Sequence, residues 1–146
     1  MLNRRNFCAA LPALAAAAQA FAQAEQKTIM GSEIVDWNSI PVRPTSYGSV
    51  RSFFSAPTAT LQNLELHVTT LNPGKAPHLP HHHPNEEMLI IQQGTVEALQ
   101  NGEWKAVGPG SVIFNASNQM HGVRNSSSAP AVYHVINWKT AATPAR

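Results

Sequence analysis

From Ser49 onward the chain is cut into strand-length pieces by turn residues, and this punctuation leaves few folds open to it. Asn72-Pro73-Gly74 places Pro and Gly where a type II turn needs them. Asn101-Gly102 favours a tight type I′ hairpin. Gly94, Gly108-Pro109-Gly110 and Ser126-Ser127-Ser128 mark further breaks. Between the breaks, Leu64, Leu66 and Val68 alternate with Asn63, Glu65, His67 and Thr69, the period of a half-buried strand. Glu87 to Gln92, Thr95 to Leu99, Ser111 to Phe114, His121 to Arg124 and Ala131 to Trp138 are the other strand-like runs. No helical period occurs after residue 24, so the expected class is all-β, a barrel or jelly roll. At 146 residues this is one domain, with the barrel over 46–140 and a short tail over 141–146.

The first 24 residues belong to an address label and not to the fold. Arg4-Arg5 form a positive start, Cys8 to Ala22 is apolar and alanine-rich, and Ala20-Phe21-Ala22 or Ala22-Gln23-Ala24 offer small-residue cleavage sites. Cleavage before Glu25 is expected, giving an exported protein, periplasmic or secreted. Pro12 and Gln19 interrupt the apolar run, which is too short for a retained membrane span. Arg4-Arg5-Asn6-Phe7 also resembles the twin-arginine export motif, with Asn3 in place of Ser or Thr before the pair. Residues 25–45 then read as an arm packed along the domain, anchored by Trp37 and Ile40.

Removing the label changes the charge. Without Arg4 and Arg5, eight basic residues face eight acidic ones. The remaining domain is near neutral and has no basic patch with interleaved aromatics, so nucleic acid is not an expected partner. The only cysteine, Cys8, leaves with the label, which excludes disulfides and thiolate metal sites from the mature chain.

Chemistry concentrates in His81-His82-His83-Pro84-Asn85-Glu86-Glu87 and in a second cluster from Gly110 to Asn125 that contains His121. His81 and His83 project to one face of an extended segment. Glu87 shares that face if the segment stays extended, while His82 and Glu86 point away. A histidine-rich tract can also be an exposed, adventitious metal binder. The company of Glu87, Gly94 and the second cluster argues against that reading.

Gly74, His81, His83, Glu87 and Gly94 resemble the first cupin motif, G-x(5 or 6)-H-x-H-x(3,4)-E-x(6)-G. Gly110, His121 and Asn125 resemble the second, G-x(5)-P-x-G-x(2)-H-x(3)-N, with Ala116 in place of Pro and Asn118 in place of Gly. Asn tolerates the left-handed backbone that such a turn often needs. The resemblance implies a double-stranded β-helix, the jelly-roll barrel of cupins. It also implies one divalent transition metal ion per chain held by His81, His83, Glu87 and His121. Three nitrogens and one oxygen suit Mn, Fe, Zn, Ni, Co or Cu.

The resemblance further implies a metal-dependent enzyme of dioxygenase, isomerase or lyase type acting on a small organic molecule. The alternative is a cupin that binds a metal or small molecule without turnover. A homodimer is expected by analogy with other cupins and because of the arm. His134 and His67 are the candidates for a general base. His134, on an apolar strand, also reads as a core histidine, and His67 as a polar-face residue near the opening. His78 reads as a solvated loop residue or part of the entrance, Asn125 as a turn or strand-end residue. Leu89 and Phe114 are expected in the core or the pocket wall.

Overall fold

A computed structural model describes residues 28–145. The expected signal segment lies outside the described residues. The strands are β1 (Arg43–Thr45), β2 (Gly48–Ala56), β3 (Asn63–Leu71), β4 (Glu86–Gln93), β5 (Val96–Gln100), β6 (Glu103–Val107), β7 (Val112–Asn115), β8 (Gly122–Arg124) and β9 (Ala131–Lys139). All named pairings are antiparallel. A six-stranded sheet in the order β1-β2-β3-β9-β4-β7 faces a three-stranded sheet in the order β6-β5-β8. This is a jelly-roll barrel, the fold that the resemblance of the two motifs implies.

Turn chemistry sets the corners. Asn101 and Gly102 both have positive φ, 52° and 82°, as a type I′ hairpin between β5 and β6 requires. Gly74 has φ 69° and the amide of Lys75 donates to Asn72 O, closing the turn after β3. Asn118, standing where the motif has Gly, adopts φ 58° and so supplies the left-handed residue itself. Asn125 is 1 % exposed and staples this end of the barrel. Its amide donates to Leu71 O and Ala129 O, and its Oδ1 accepts from Ser127. It follows Arg124, the last residue of β8, directly, the strand-end position that its place in the sequence suggested.

The end of the arm joins the barrel as edge strand β1, after a short 3-10 turn at Trp37–Ser39. Ile40 is buried and anchors it. Trp37 stays partly exposed, tilted against Phe53 and covered by the Arg51 guanidinium, which donates to the carbonyls of Trp37 and Ile40.

Along the strands the barrel interior grades from apolar to polar. Leu71, Ile91, Val96 and Ala131 fill one end as an apolar core, with Tyr133 at its boundary with the cavity. Towards the other end the inward positions become Thr69, His67 and Glu65 on β3, Glu87 on β4 and Asn115 on β7. The alternation read in β3 is therefore real but inverted relative to a simple core strand. Its polar row turns inward, while Leu64, Leu66 and Val68 take the outer face. Phe114 differs from expectation in the same way. It pairs with Met88 on the outer face of the large sheet, is 48 % exposed and stacks on Trp138. One-residue parity decides this, because Ile113 and Asn115 on either side point inward.

Candidate metal centre

Two loops carry the histidines, and backbone hydrogen bonds fasten the loops to each other. The amide of His81 donates to His121 O and the amide of His121 donates to His81 O, at 3.0 and 2.9 Å. One residue pair further along, the amide of Asn118 donates to His83 O and Ser117 Oγ to Pro84 O. The result is an isolated antiparallel bridge that extends β8 and brings the first motif against the second.

Ring centroids of His81, His83 and His121 lie 4.6 to 5.3 Å apart, and one nitrogen from each falls within 4.8 Å of the others. Glu87 closes the set. Its Oε2 is 3.8 Å from His83 Nε2 and its Oε1 is 3.7 Å from His121 Nε2. Donors bound to one ion at about 2.1 Å stand roughly 3–4 Å apart, so these separations suit a shared ion. His83 Nδ1–H donates to Asn85 O and His121 Nδ1–H to Gln119 O, which leaves both Nε2 atoms bare. Buried polar atoms normally have partners. Here His121 Nε2 and His81 Nδ1 are buried with none, as expected of groups that await a cation.

Glu87 arrives by a different route from simple parity. The chain bends at Pro84-Asn85 and β4 begins only at Glu86, so the segment does not stay extended. The bend and the pairing of Glu87 with Asn115 and Asn137 aim the carboxylate inward. His82 is exposed, and Glu86 accepts from Trp138 Nε1 on the outer face, so both stand apart from the site.

Asn115 was not singled out by the sequence. It is 5 % exposed, donates to Glu87 Oε1 at 2.9 Å and accepts from Gln100 at 2.6 Å. Groups that orient a ligand typically contribute about 10–100-fold to metal affinity. Asn115→Ala is expected to lower affinity by about that factor, measured by chelator competition. Affinity equal to wild type would refute the orienting role.

Burial disfavours the charged forms of His81 and His121. Burial, followed by the neighbouring His78, His121 and His83, pushes the His81 pKa down to about 4. Burial also lowers that of His121, with the Gln119 carbonyl opposing. In metal-free protein His81 thus stays neutral in the fold while the unfolded chain takes up a proton near pH 6.5. Between those values the unfolded state holds more protons, so lowering pH from 6.5 to about 4 should reduce stability, with no further loss from this group below. Denaturation of metal-free protein across that range should show a steeper pH slope for wild type than for His81→Gln. Equal slopes would contradict the burial effect.

The carboxylate and His121 form one wall of a cavity of about 300 Å³ that opens to solvent. Its other walls include Leu89, as expected, and His67 with Glu65. His78 is exposed at the cavity rim, edge-on to His81 at 4.1 Å. His134 does not line the cavity. It lies between Tyr133 and Val135, which do, and pairs with Ile90 and Val68 on the opposite face of the sheet.

A two-sheet β-barrel with three histidines and a glutamate converging beside an inner cavity defines the class of protein. The chain belongs to the cupin superfamily, and the family model described as Cupin domain matches residues 67–137. Solved structures with the same fold include the cupin domain of an XRE-family transcriptional regulator from Enterobacter cloacae. It is 26 % identical, with a TM-score of 0.52, covering 60 % of this chain and 92 % of that one. The polyketide cyclase RemF from Streptomyces resistomycificus is 17 % identical, with a TM-score of 0.61, covering 74 % and 80 %. A sugar phosphate isomerase from Silicibacter pomeroyi is 18 % identical, with a TM-score of 0.58, covering 74 % and 76 %. No curated protein matches the sequence.

Proposed function

We propose that this protein is an exported, metal-dependent cupin enzyme acting on a small organic molecule. The observation that carries the reading is the convergence of His81, His83, Glu87 and His121, two of which, Glu87 and His121, line an open cavity. A bound divalent ion would supply Lewis acidity, or a centre for dioxygen, at positions the four side chains leave open. The chain's own contribution is to aim the donors, with burial disfavouring the charged forms of His81 and His121, to shape a cavity with apolar walls at Leu89 and Val135, and to present polar groups on its inner face. The cyclase and isomerase among similar folds are enzymes on small molecules, which is the same broad class. Elemental analysis of natively purified protein, then turnover across phenols, keto acids and sugars, tests the reading. Tight binding of such compounds with no turnover of any would overturn it.

That outcome would favour a second reading, a cupin that binds a metal or small molecule without turnover. The 26 % identity to the cupin domain of a regulator supports it.

Export is part of the proposal and rests on residues 1–24. A twin-arginine route would carry the folded domain out with its ion already trapped, protecting Mn or Fe from displacement by Cu or Zn. Undisturbed export after Arg4-Arg5→Lys-Lys, or Zn in protein taken from the periplasm, would count against that route. Among the described residues no helix is long and apolar enough to cross a membrane. We also propose a homodimer, supported by Val112 and Phe114, 58 % and 48 % exposed on one outer sheet face. Sedimentation of wild type and Phe114→Glu tests it, and an unchanged monomer in both would refute it.

A further inference from the structure

Two strands away from Glu87 on the same inner sheet face, the cavity wall carries a second pair of titratable groups. His67 and Glu65 are two residues apart on β3, so they share its inner face, and both line the cavity. His67 Nδ1 lies 3.1 Å from Glu65 Oε1, an N–H donating to a carboxylate. That bond fixes the tautomer: Nδ1 keeps the proton and Nε2 is left bare. The side chains are 24 % and 40 % exposed, sheltered yet open to a ligand entering the cavity.

Sheet register places this pair relative to the metal ligands. Glu65, Asn137, Glu87 and Asn115 form one row across β3, β9, β4 and β7. Ser52, His67, Val135, Leu89 and Ile113 form the next row inward. The imidazole therefore stands on β3 and the ligand carboxylate on β4, with β9 between them. Two strand spacings amount to about 10 Å between the backbones. Val135 and Tyr133 line the cavity from the intervening strand. Burial pushes the Tyr133 phenol up, so it is a neutral hydrogen-bond donor at any ordinary pH. A cavity of about 300 Å³ lined by Glu65, His67, Glu87 and His121 has room for a small molecule between the pair and the ligand carboxylate.

We propose that Glu65 and His67 are the proton-transfer pair of this cavity, acting on a small hydroxy or oxo compound whose oxygen faces the metal ligands. The proposal rests on the metal-dependent enzyme reading above. His67 Nε2 takes the proton from the O–H, or from the C–H beside the carbonyl. The electron pair of the broken bond remains on the substrate. The imidazolium that forms is balanced by the Glu65 carboxylate, and the same proton returns to a neighbouring atom or passes to water. No oxidant is required. His67 is the catalytic residue and Glu65 its positioning residue.

Two measurements test this on the metal-loaded full domain. Long-range nitrogen–proton spectra of a Zn-loaded sample should show His67 protonated at Nδ1 and bare at Nε2. Glu65→Gln should move the population towards the other tautomer. A proton on Nε2 in wild type, or an unchanged spectrum in Glu65→Gln, would overturn the pair. The second measurement is deuterium incorporation from heavy water into pyruvate or dihydroxyacetone, read by mass spectrometry with metal content determined in parallel. Wild type should incorporate label above the buffer rate. His67→Gln should lose at least about 100-fold, with metal content unchanged. Label incorporation equal to wild type in a metal-bearing His67→Gln sinks the pair while leaving the metal enzyme standing. Absence of label from both compounds with metal-bearing wild type overturns the substrate class proposed. Wild type that retains no metal sinks the enzyme reading itself.

Discussion

His121→Ala is expected to give a folded protein that retains no divalent ion after dialysis against a chelator. Its Nε2 is buried without a hydrogen-bond partner and sits 3.7 Å from Glu87. Its Nδ1 is committed to Gln119 O, so the ring cannot turn away. An orienting group alone contributes about 10–100-fold to affinity, and a direct donor should contribute more. The backbone pairing of residues 81 and 121 does not involve the side chain, so the loops should stay joined. His82→Ala is the matched control, because His82 is exposed and outside the site. It should keep its ion and its affinity. An exposed histidine tag would behave differently, losing affinity comparably with either substitution. Metal content by elemental analysis therefore separates a built site from an adventitious one.

Gly48→Ala should cause the largest loss of stability of any single methyl addition to the barrel. Gly48 opens β2 with φ 148°, and a Cβ placed there would lie 2.0 Å from the Thr70 carbonyl oxygen and 3.0 Å from its carbon. These are backbone atoms of the neighbouring strand and cannot swing aside. Relief requires parting β2 from β3 at the Gly48–Leu71 pair, beside a leucine with no exposed surface. Backbone strain of about 1–3 kcal/mol and overpacking of about 1–3 kcal/mol give a loss on the order of 4 kcal/mol. Domains have only about 5–15 kcal/mol in total, so thermal unfolding should shift down by roughly 15 °C. Gly110→Ala is the comparison, with φ 82° and open space around the added methyl. It should cost about 1–2 kcal/mol, the conformational part alone. A melting temperature for Gly48→Ala no lower than that of Gly110→Ala would refute the steric argument.

Gly94 and Gly48 also show what could be read in advance. Gly94 stood out because its spacing from Glu87 matched a motif, and the fold gives the reason. It has φ 74°, and a Cβ there would sit 2.6 Å from Pro130 O. Gly48 belongs to no motif, and its constraint comes from a strand more than twenty residues away. The same division runs through the site. His81 and His83 were legible because ligand type and spacing are local properties, and His121 joined them through the resemblance of the second motif. Asn115 was not, because an asparagine that orients a glutamate looks like any other strand residue until β4 and β7 are paired. His67 and His134 looked equivalent as candidates. Register separates them, placing one on the cavity wall and the other on the outer face.

By itself, then, the sequence determined the class of fold and the turns, because turn chemistry and strand period are written over a few residues each, and it named the four metal-ligand candidates through its resemblance to two family motifs. Tertiary structure alone decided which face of each strand points inward. A strand with apolar residues on one side and polar residues on the other satisfies either orientation locally. In β3 the cavity claims the polar side, and only the packing of two sheets around it can make that choice.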